Sequence, residues 1–242
     1  MKKSLFAAVA AFMFAGGSAV AADLPAKAPY YKAPPAAYYN WSGFYIGVHA
    51  GVAWADVDWG NVSLTGEPVR TSDQSWLAGG HVGYNYQIGS IVFGVEGTIS
   101  GTDLSDTFKS KVNPAVTYTS EIDWIATAAA RLGVAWDRSL IYVKGGGAWA
   151  HLTTSGLNPP IADAFSLDGT RSGWVVGGGV EFLVTNNFVF GVEYNHIDLG
   201  SFDRSGTTKL GLGFTIKDID TTIDSVVARA SWKFGGPLVA RY

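Results

Sequence analysis

Residues 124–136 read Trp-Ile-Ala-Thr-Ala-Ala-Ala-Arg-Leu-Gly-Val-Ala-Trp. Every second residue from Trp124 gives Trp124, Ala126, Ala128, Ala130, Leu132, Val134 and Trp136, an uncharged set. The opposite set holds Thr127, Arg131 and Gly133. A period of two is that of a β-strand, whose successive side chains point to opposite faces. The two tryptophans close the ends of the apolar set, twelve residues apart. At roughly 3.3 Å per residue and a tilt of ~40° they stand about 30 Å apart, the height of an apolar membrane band with its interfacial girdles. The stretch therefore predicts a membrane-crossing strand that turns Arg131 toward an enclosed interior.

The same alternation recurs seven more times between Gly43 and Phe234. Phe44, Ile46, Val48, Ala50, Val52 and Trp54 share one face of the first run, and Trp76, Ala78, Gly80, Val82, Tyr84 and Tyr86 one face of the second. Ile91, Phe93, Val95 and Ile99 mark the third run. The fifth has Ile141, Val143 and Trp149, weakened by Gly145 and Gly147. The sixth runs from Trp174 to Val184, the seventh has Phe188, Phe190, Val192 and Tyr194, and the eighth Val226, Ala228, Ala230, Trp232 and Phe234. Short connections (87–90, 137–138, 185–187) alternate with long polar ones (56–75, 101–121, 155–172, 198–224), which predict loops. The pentapeptide Val92-Phe93-Gly94-Val95-Glu96 returns as Val189-Phe190-Gly191-Val192-Glu193, as equivalent hairpin arms would. Together these features predict an all-β fold, an eight-stranded antiparallel transmembrane β-barrel of the outer-membrane type.

Alternation alone allows a soluble barrel with its apolar face inward. The charges decide against it. Glu96, Arg131, Lys144, Glu181, Glu193, Arg229 and Lys233 all lie on the parity opposite the apolar face. A charge facing lipid at mid-depth costs about 2–4 kcal/mol, whereas mixed charges can pair across a narrow lumen. The rest of that parity is small, with Gly47, Gly51, Gly79, Gly83, Gly133 and Gly177. Such residues suit the cramped interior of eight strands. Trp54, Trp76, Trp124, Trp136, Trp149, Trp174, Trp232 and Phe234 sit at strand ends, as an aromatic girdle does.

Composition agrees. The 242 residues carry a net charge of −3, only 15% charged residues, 31 glycines, nine tryptophans and no cysteine. This excludes a disulfide scaffold and thiolate chemistry, and the acidic balance excludes an electrostatic nucleic-acid binder. Lys2 and Lys3, the apolar run Leu5–Ala15 and the small residues up to Ala21 read as a signal peptide over 1–21, cleaved near Ala21 on export through the inner membrane. Residues 22–40 hold Pro25, Pro29, Pro34 and Pro35 with four tyrosines and read as an extended periplasmic linker. The barrel domain is assigned to 41–242.

Three pieces of sequence carry a resemblance: Ala22-Asp23-Leu24-Pro25, the opening Asn40-Trp41-Ser42-Gly43-Phe44-Tyr45-Ile46-Gly47, and the closing segment Lys233–Tyr242. In these the chain resembles the small outer-membrane immunogenic proteins of alphaproteobacteria, within the opacity-like, OmpA-membrane-domain-like barrels of the porin family. The resemblance implies a Gram-negative surface protein of the cell outer membrane with structural and surface roles, placed by the barrel-assembly machinery, for which Tyr242 looks like the assembly signal. Its partners would be the lipid bilayer and lipopolysaccharide. Some members are described as haemin binders or adhesins.

Candidate chemistry is sparse. His49 and His81, on lumen parity and nearly opposite if the first hairpin folds symmetrically, could with Glu96 offer a metal or haem iron two imidazoles and a carboxylate; an interior polar network is the plainer reading. His196, Asp198 and Ser201 could suggest a lipid-A esterase, although Asp and Ser are ordinary loop residues. The runs Gly145–Gly147 and Gly177–Gly179 lack the helix and lysine of a phosphate cradle. Acidic residues outnumber basic ones in each long connection, which suits solvated charge or bridging divalent cations beside lipopolysaccharide. The sequence thus points to a non-enzymatic barrel without cofactor, contributing to envelope integrity and surface interaction, with a porin-like channel for small solutes, or a haem-binding or adhesin surface protein, as the alternatives.

Overall fold

The computed structural model describes residues 39–62, 69–109, 117–158, 163–207, 211 and 213–234. Eight strands follow one another: β1 (Gly43–Val62), β2 (Val69–Ile88), β3 (Ile91–Lys109), β4 (Thr117–Trp136), β5 (Ser139–Asn158), β6 (Asp163–Leu183), β7 (Phe188–Thr207) and β8 (Gly213–Lys233). Each pairs antiparallel with its chain neighbours, and β1 pairs with β8 to close the barrel. Closure leaves no free edge at membrane depth, where an unpaired backbone amide has no water to bond. The expected signal peptide, nearly all of the linker, the terminal motif 235–242 and Tyr242 lie outside the described residues.

The tight end of the barrel is built as its sequence demands. Gly89-Ser90 turns β2 into β3 with Gly89 at φ 61°, and Asp137-Arg138 turns β4 into β5 with Asp137 at φ 52°. Glycine enters that left-handed region freely, and aspartate is among the side chains that tolerate it. The third turn is tied by Thr185 Oγ1, which accepts from the backbone nitrogens of Asn187 (3.4 Å) and Phe188 (3.0 Å).

At the other end the long connections predicted as loops are mostly strand. The strands run 19 to 21 residues, about 50 Å at roughly 3.3 Å per residue and ~40° tilt, against an apolar band of ~25 Å. Pairing continues to Trp59↔Val69, Lys109↔Thr117, Asn158↔Asp163 and Thr207↔Gly213. The reason is a reversal of the binary pattern. Through the band, β8 turns Trp232, Ala228 and Val226 outward and Lys233, Ser231 and Arg229 inward; above it, Asp224, Thr222 and Asp220 face outward while Ile223 is buried. β3 does likewise, with Val95 and Ile99 outside Glu96 and Ser100, then Asp103 and Ser105 outside Leu104. The outer face changes solvent from lipid to water, and each side-chain set changes polarity with it.

Above the band the closed ladder also splits. Among the described residues, β2 pairs with β3 no further than Leu77↔Thr102, and β6 with β7 no further than Trp174↔Asp198. The upper strands therefore form two four-stranded leaves, β7-β8-β1-β2 and β3-β4-β5-β6. Thr102 Oγ1 donates to the Trp76 carbonyl (2.9 Å), capping the ladder where it ends.

Candidate functional site: a filled, layered lumen

Among the described residues the interior has three layers. The lowest, at the tight-turn end, is apolar. Trp41, Val92, Leu140, Leu183 and Val189 pack there with Tyr142, all but fully buried. Trp41 precedes β1 and is held across the mouth by backbone contacts: its nitrogen donates to Gln87 Oε1 (2.7 Å), while Ser42 Oγ accepts from Gln87 N (2.9 Å). The uppermost layer is also apolar and includes Leu77, Leu104, Ile122, Ile125, Leu152, Val175, Ile197, Leu199 and Ile223.

Between them lies an ionic layer. Each strand from β3 to β8 contributes one charge to it: Glu96, Arg131, Lys144, Glu181, Glu193 and Arg229, three of each sign, with every side chain at most 5% exposed. Arg131 Nη2 donates to Glu181 Oε2 (2.7 Å) and Nη1 to Glu96 Oε2 (3.3 Å). Lys144 Nζ donates to Glu193 Oε1 (2.8 Å) and Glu96 Oε1 (3.4 Å). Arg229 bonds both Glu96 and Glu193. Tyr45 donates to Glu96 Oε2 (2.9 Å) and Tyr142 to Glu193 Oε2 (2.5 Å), while the Arg131 guanidinium lies 3.9 Å from the Tyr142 ring centroid. Charges taken out of water to this degree persist only when paired and hydrogen-bonded. Their pairing here links all six strands that carry them.

The seventh predicted member stands apart. Lys233 Nζ donates to the Asn40 carbonyl (2.6 Å), at the mouth, because the last residue of β8 lies below the ionic level. Conversely, sequence reading missed Tyr45, Tyr142 and Trp41 as lumen residues. Both tyrosines sit on the lumen parity, and that parity was the signal for them. They fit because glycines face them: a Cβ on Gly83 would meet the Tyr45 hydroxyl, and one on Gly179 would meet the Tyr142 hydroxyl.

His49 and His81 meet, though diagonally rather than opposite, since His49 pairs with Gly79 and His81 with Gly47. Their Nδ1 atoms are 3.3 Å apart. Glu96 does not complete a ligand set with them; its oxygens are taken by Tyr45, Arg131, Lys144 and Arg229. The adjoining cavity is about 30 Å³, against ~300 Å³ or more for a ligand pocket. A porphyrin does not fit this arrangement, and no group of three or more His, Asp or Glu among the described residues is disposed to hold a metal ion.

His196, Asp198 and Ser201 all face outward near the upper rim but are not joined to one another. His196 Nδ1 bonds Asp224 Oδ1 (2.8 Å), Asp198 Oδ1 accepts from Gly200 N (2.7 Å), and Ser201 Oγ bonds Asp220. The bulge between Asp198 and Ser201, with Gly200 at φ 68°, separates the serine from the imidazole. On the same outer face Trp76, Trp149 and Trp174 are exposed, Trp54 and Trp124 half-buried, and Trp124 stacks on His151 at 6.1 Å. Trp136, Trp232 and Phe234 are exposed at the lower end, and Trp136 is the most exposed large apolar residue among the described ones, at 83%. Between these aromatic levels Ile46, Val48, Val82, Val95, Val143 and Val192 are all more than half exposed, a belt that water would not tolerate and lipid covers.

Comparison with known proteins agrees with this geometry. A family profile described as "Outer membrane protein beta-barrel domain" matches residues 7–234. The 31 kDa outer-membrane immunogenic protein of Brucella melitensis is 30% identical over 215 residues, covering 83% of this chain and 88% of its own. The 25 kDa outer-membrane immunogenic protein of Brucella abortus is 31% identical over 210 residues, covering 85% and 90%. The 22 kDa outer membrane protein of Rhizobium leguminosarum bv. viciae is 30% identical over 190 residues, covering 72% and 77%. The chain belongs to the outer-membrane protein β-barrel domain family, among the small alphaproteobacterial outer-membrane proteins, and resides in the bacterial outer membrane.

Proposed function

We propose that this barrel is a closed, non-catalytic element of the envelope. It contributes to envelope integrity through its lipid-facing belt and to surface interaction through the strands that rise beyond that belt. The observation that carries the reading is the filled lumen: an ionic layer without net charge, lying between two apolar layers, leaves no path for a hydrated solute. A non-enzymatic role is supported by the separate partners of His196, Asp198 and Ser201. The lipid bilayer, lipopolysaccharide and the barrel-assembly machinery are the partners this role requires. Planar-bilayer recording of the purified protein tests it. The expected trace has no steady open-channel current; a sustained K⁺ or Cl⁻ conductance assigns the protein to solute passage instead.

A further inference from the structure

Several buried polar side chains take no part in the ion pairs. His49, His81, Ser100 and Ser231 form a single hydrogen-bonded file, none of them more than 7% exposed. Ser100 Oγ lies 2.8 Å from His49 Nε2, His49 Nδ1 3.3 Å from His81 Nδ1, and His81 Nε2 2.7 Å from Ser231 Oγ. The ends of the file meet different cavities. Ser100 and His49 line one of about 30 Å³ with Thr98, Thr127 and Asn195. Ser231 lines one of about 10 Å³ with Tyr45, Asn85 and Trp41. Each cavity is bordered by a buried amide oxygen with no protein partner, Asn195 Oδ1 in the first and Asn85 Oδ1 in the second. A polar cavity of roughly 10–15 Å³ accommodates one water, and a buried acceptor without a donor calls for one.

We propose that Ser100, His49, His81 and Ser231 are a proton path past the ionic layer, joining water held in the upper cavity to water held in the lower one. The barrel then passes protons, carried through the apolar layers above and below by transient water, while its filled lumen excludes hydrated solutes. The inference rests on the closed-lumen reading above. Each member of the file can accept a proton on one side and release one on the other. A proton from water in the upper cavity is taken by Ser100 Oγ, whose own proton passes to His49 Nε2. His49 releases its Nδ1 proton to His81 Nδ1, and His81 releases its Nε2 proton to Ser231 Oγ. Ser231 passes its original proton to water below. Every bond to hydrogen that forms is matched by one that breaks, and no electron is transferred. The file then carries its protons in the reverse order, and rotation of the rings and hydroxyls restores it. Arg229, Lys144, Glu96 and Glu193 face the file from β8, β5, β3 and β7. They are paired to each other.

The test uses the full chain in liposomes that trap a pH-sensitive dye, with K⁺ and valinomycin compensating charge. The expected result is collapse of an imposed pH gradient several-fold faster than in protein-free vesicles. Ser100→Ala and Ser231→Ala, which remove a hydroxyl with little change of volume, should return the rate toward that background, as should His81→Leu. Heat-modifiable migration on gels shows which variants are folded. A gradient that decays at the protein-free rate overturns the proposal and leaves the closed lumen intact, as does unchanged decay in the folded serine variants. A steady K⁺ current without valinomycin overturns both.

Discussion

At the scale of single residues, Glu96 is the centre of the molecule. Its carboxylate accepts from Tyr45, Arg131, Lys144 and Arg229, which come from four strands, so its removal leaves three buried cations to share two carboxylates. Breaking a buried pair by deleting one partner costs about 3–5 kcal/mol. Glu96→Ala is expected to lose that much, measured as a lowered urea midpoint of the heat-modifiable form in detergent micelles. Trp41 is the second such residue. Trp41→Ala removes the largest side chain of the lower apolar layer and should cost about 3–5 kcal/mol without opening a conductance, because the ionic layer above it stays closed; a steady current in that variant would show that Trp41 alone seals the barrel. The charges were legible in the sequence, since parity alone places Glu96, Arg131, Lys144, Glu181, Glu193 and Arg229 inside. Trp41 was not. It precedes the first strand, where no periodicity assigns it a face, and only the fold of residues 39–42 across the mouth buries it.

At the scale of the strand, one pattern is read against two solvents. Val48 is 64% exposed in the lipid belt, and Val48→Arg is expected to destabilise by about 2–4 kcal/mol. Asp103, equally outward-facing but above the belt, is exposed to water, and Asp103→Lys should fall within about ±0.5 kcal/mol. Equal costs at the two positions, by equilibrium unfolding in lipid vesicles, would refute the placement of the membrane boundary between them. The sequence shows the strands plainly while apolar residues face outward. Above Gly101 or Trp54 the outward set turns polar, and a rule that follows the apolar face reads the same strand as a loop. The inward set (Leu104, Ile122, Leu199, Ile223) still alternates there, so the signal was present with its sense reversed.

At the scale of the whole molecule, closure and filling are separate facts. Eight strands and alternate connections of unequal length follow from the sequence, because side-chain period and turn chemistry are local properties. So does the identity of the lipid-facing set, since one mid-depth charge on that side would cost more than a lumen charge that finds a partner. The sequence also brought His49 and His81 onto one parity of adjacent strands. The tertiary structure decided the rest. The stagger between strands sets which charges share a level, and that stagger is a property of the closed cylinder, not of any strand. It put Lys233 below the ionic layer, set the histidines diagonally and gave Glu96 to cations instead of imidazoles. It also determined that the ladder splits at Leu77↔Thr102 and Trp174↔Asp198. Faces are fixed by the two-residue period and so can be read from one dimension; levels depend on how eight faces are assembled.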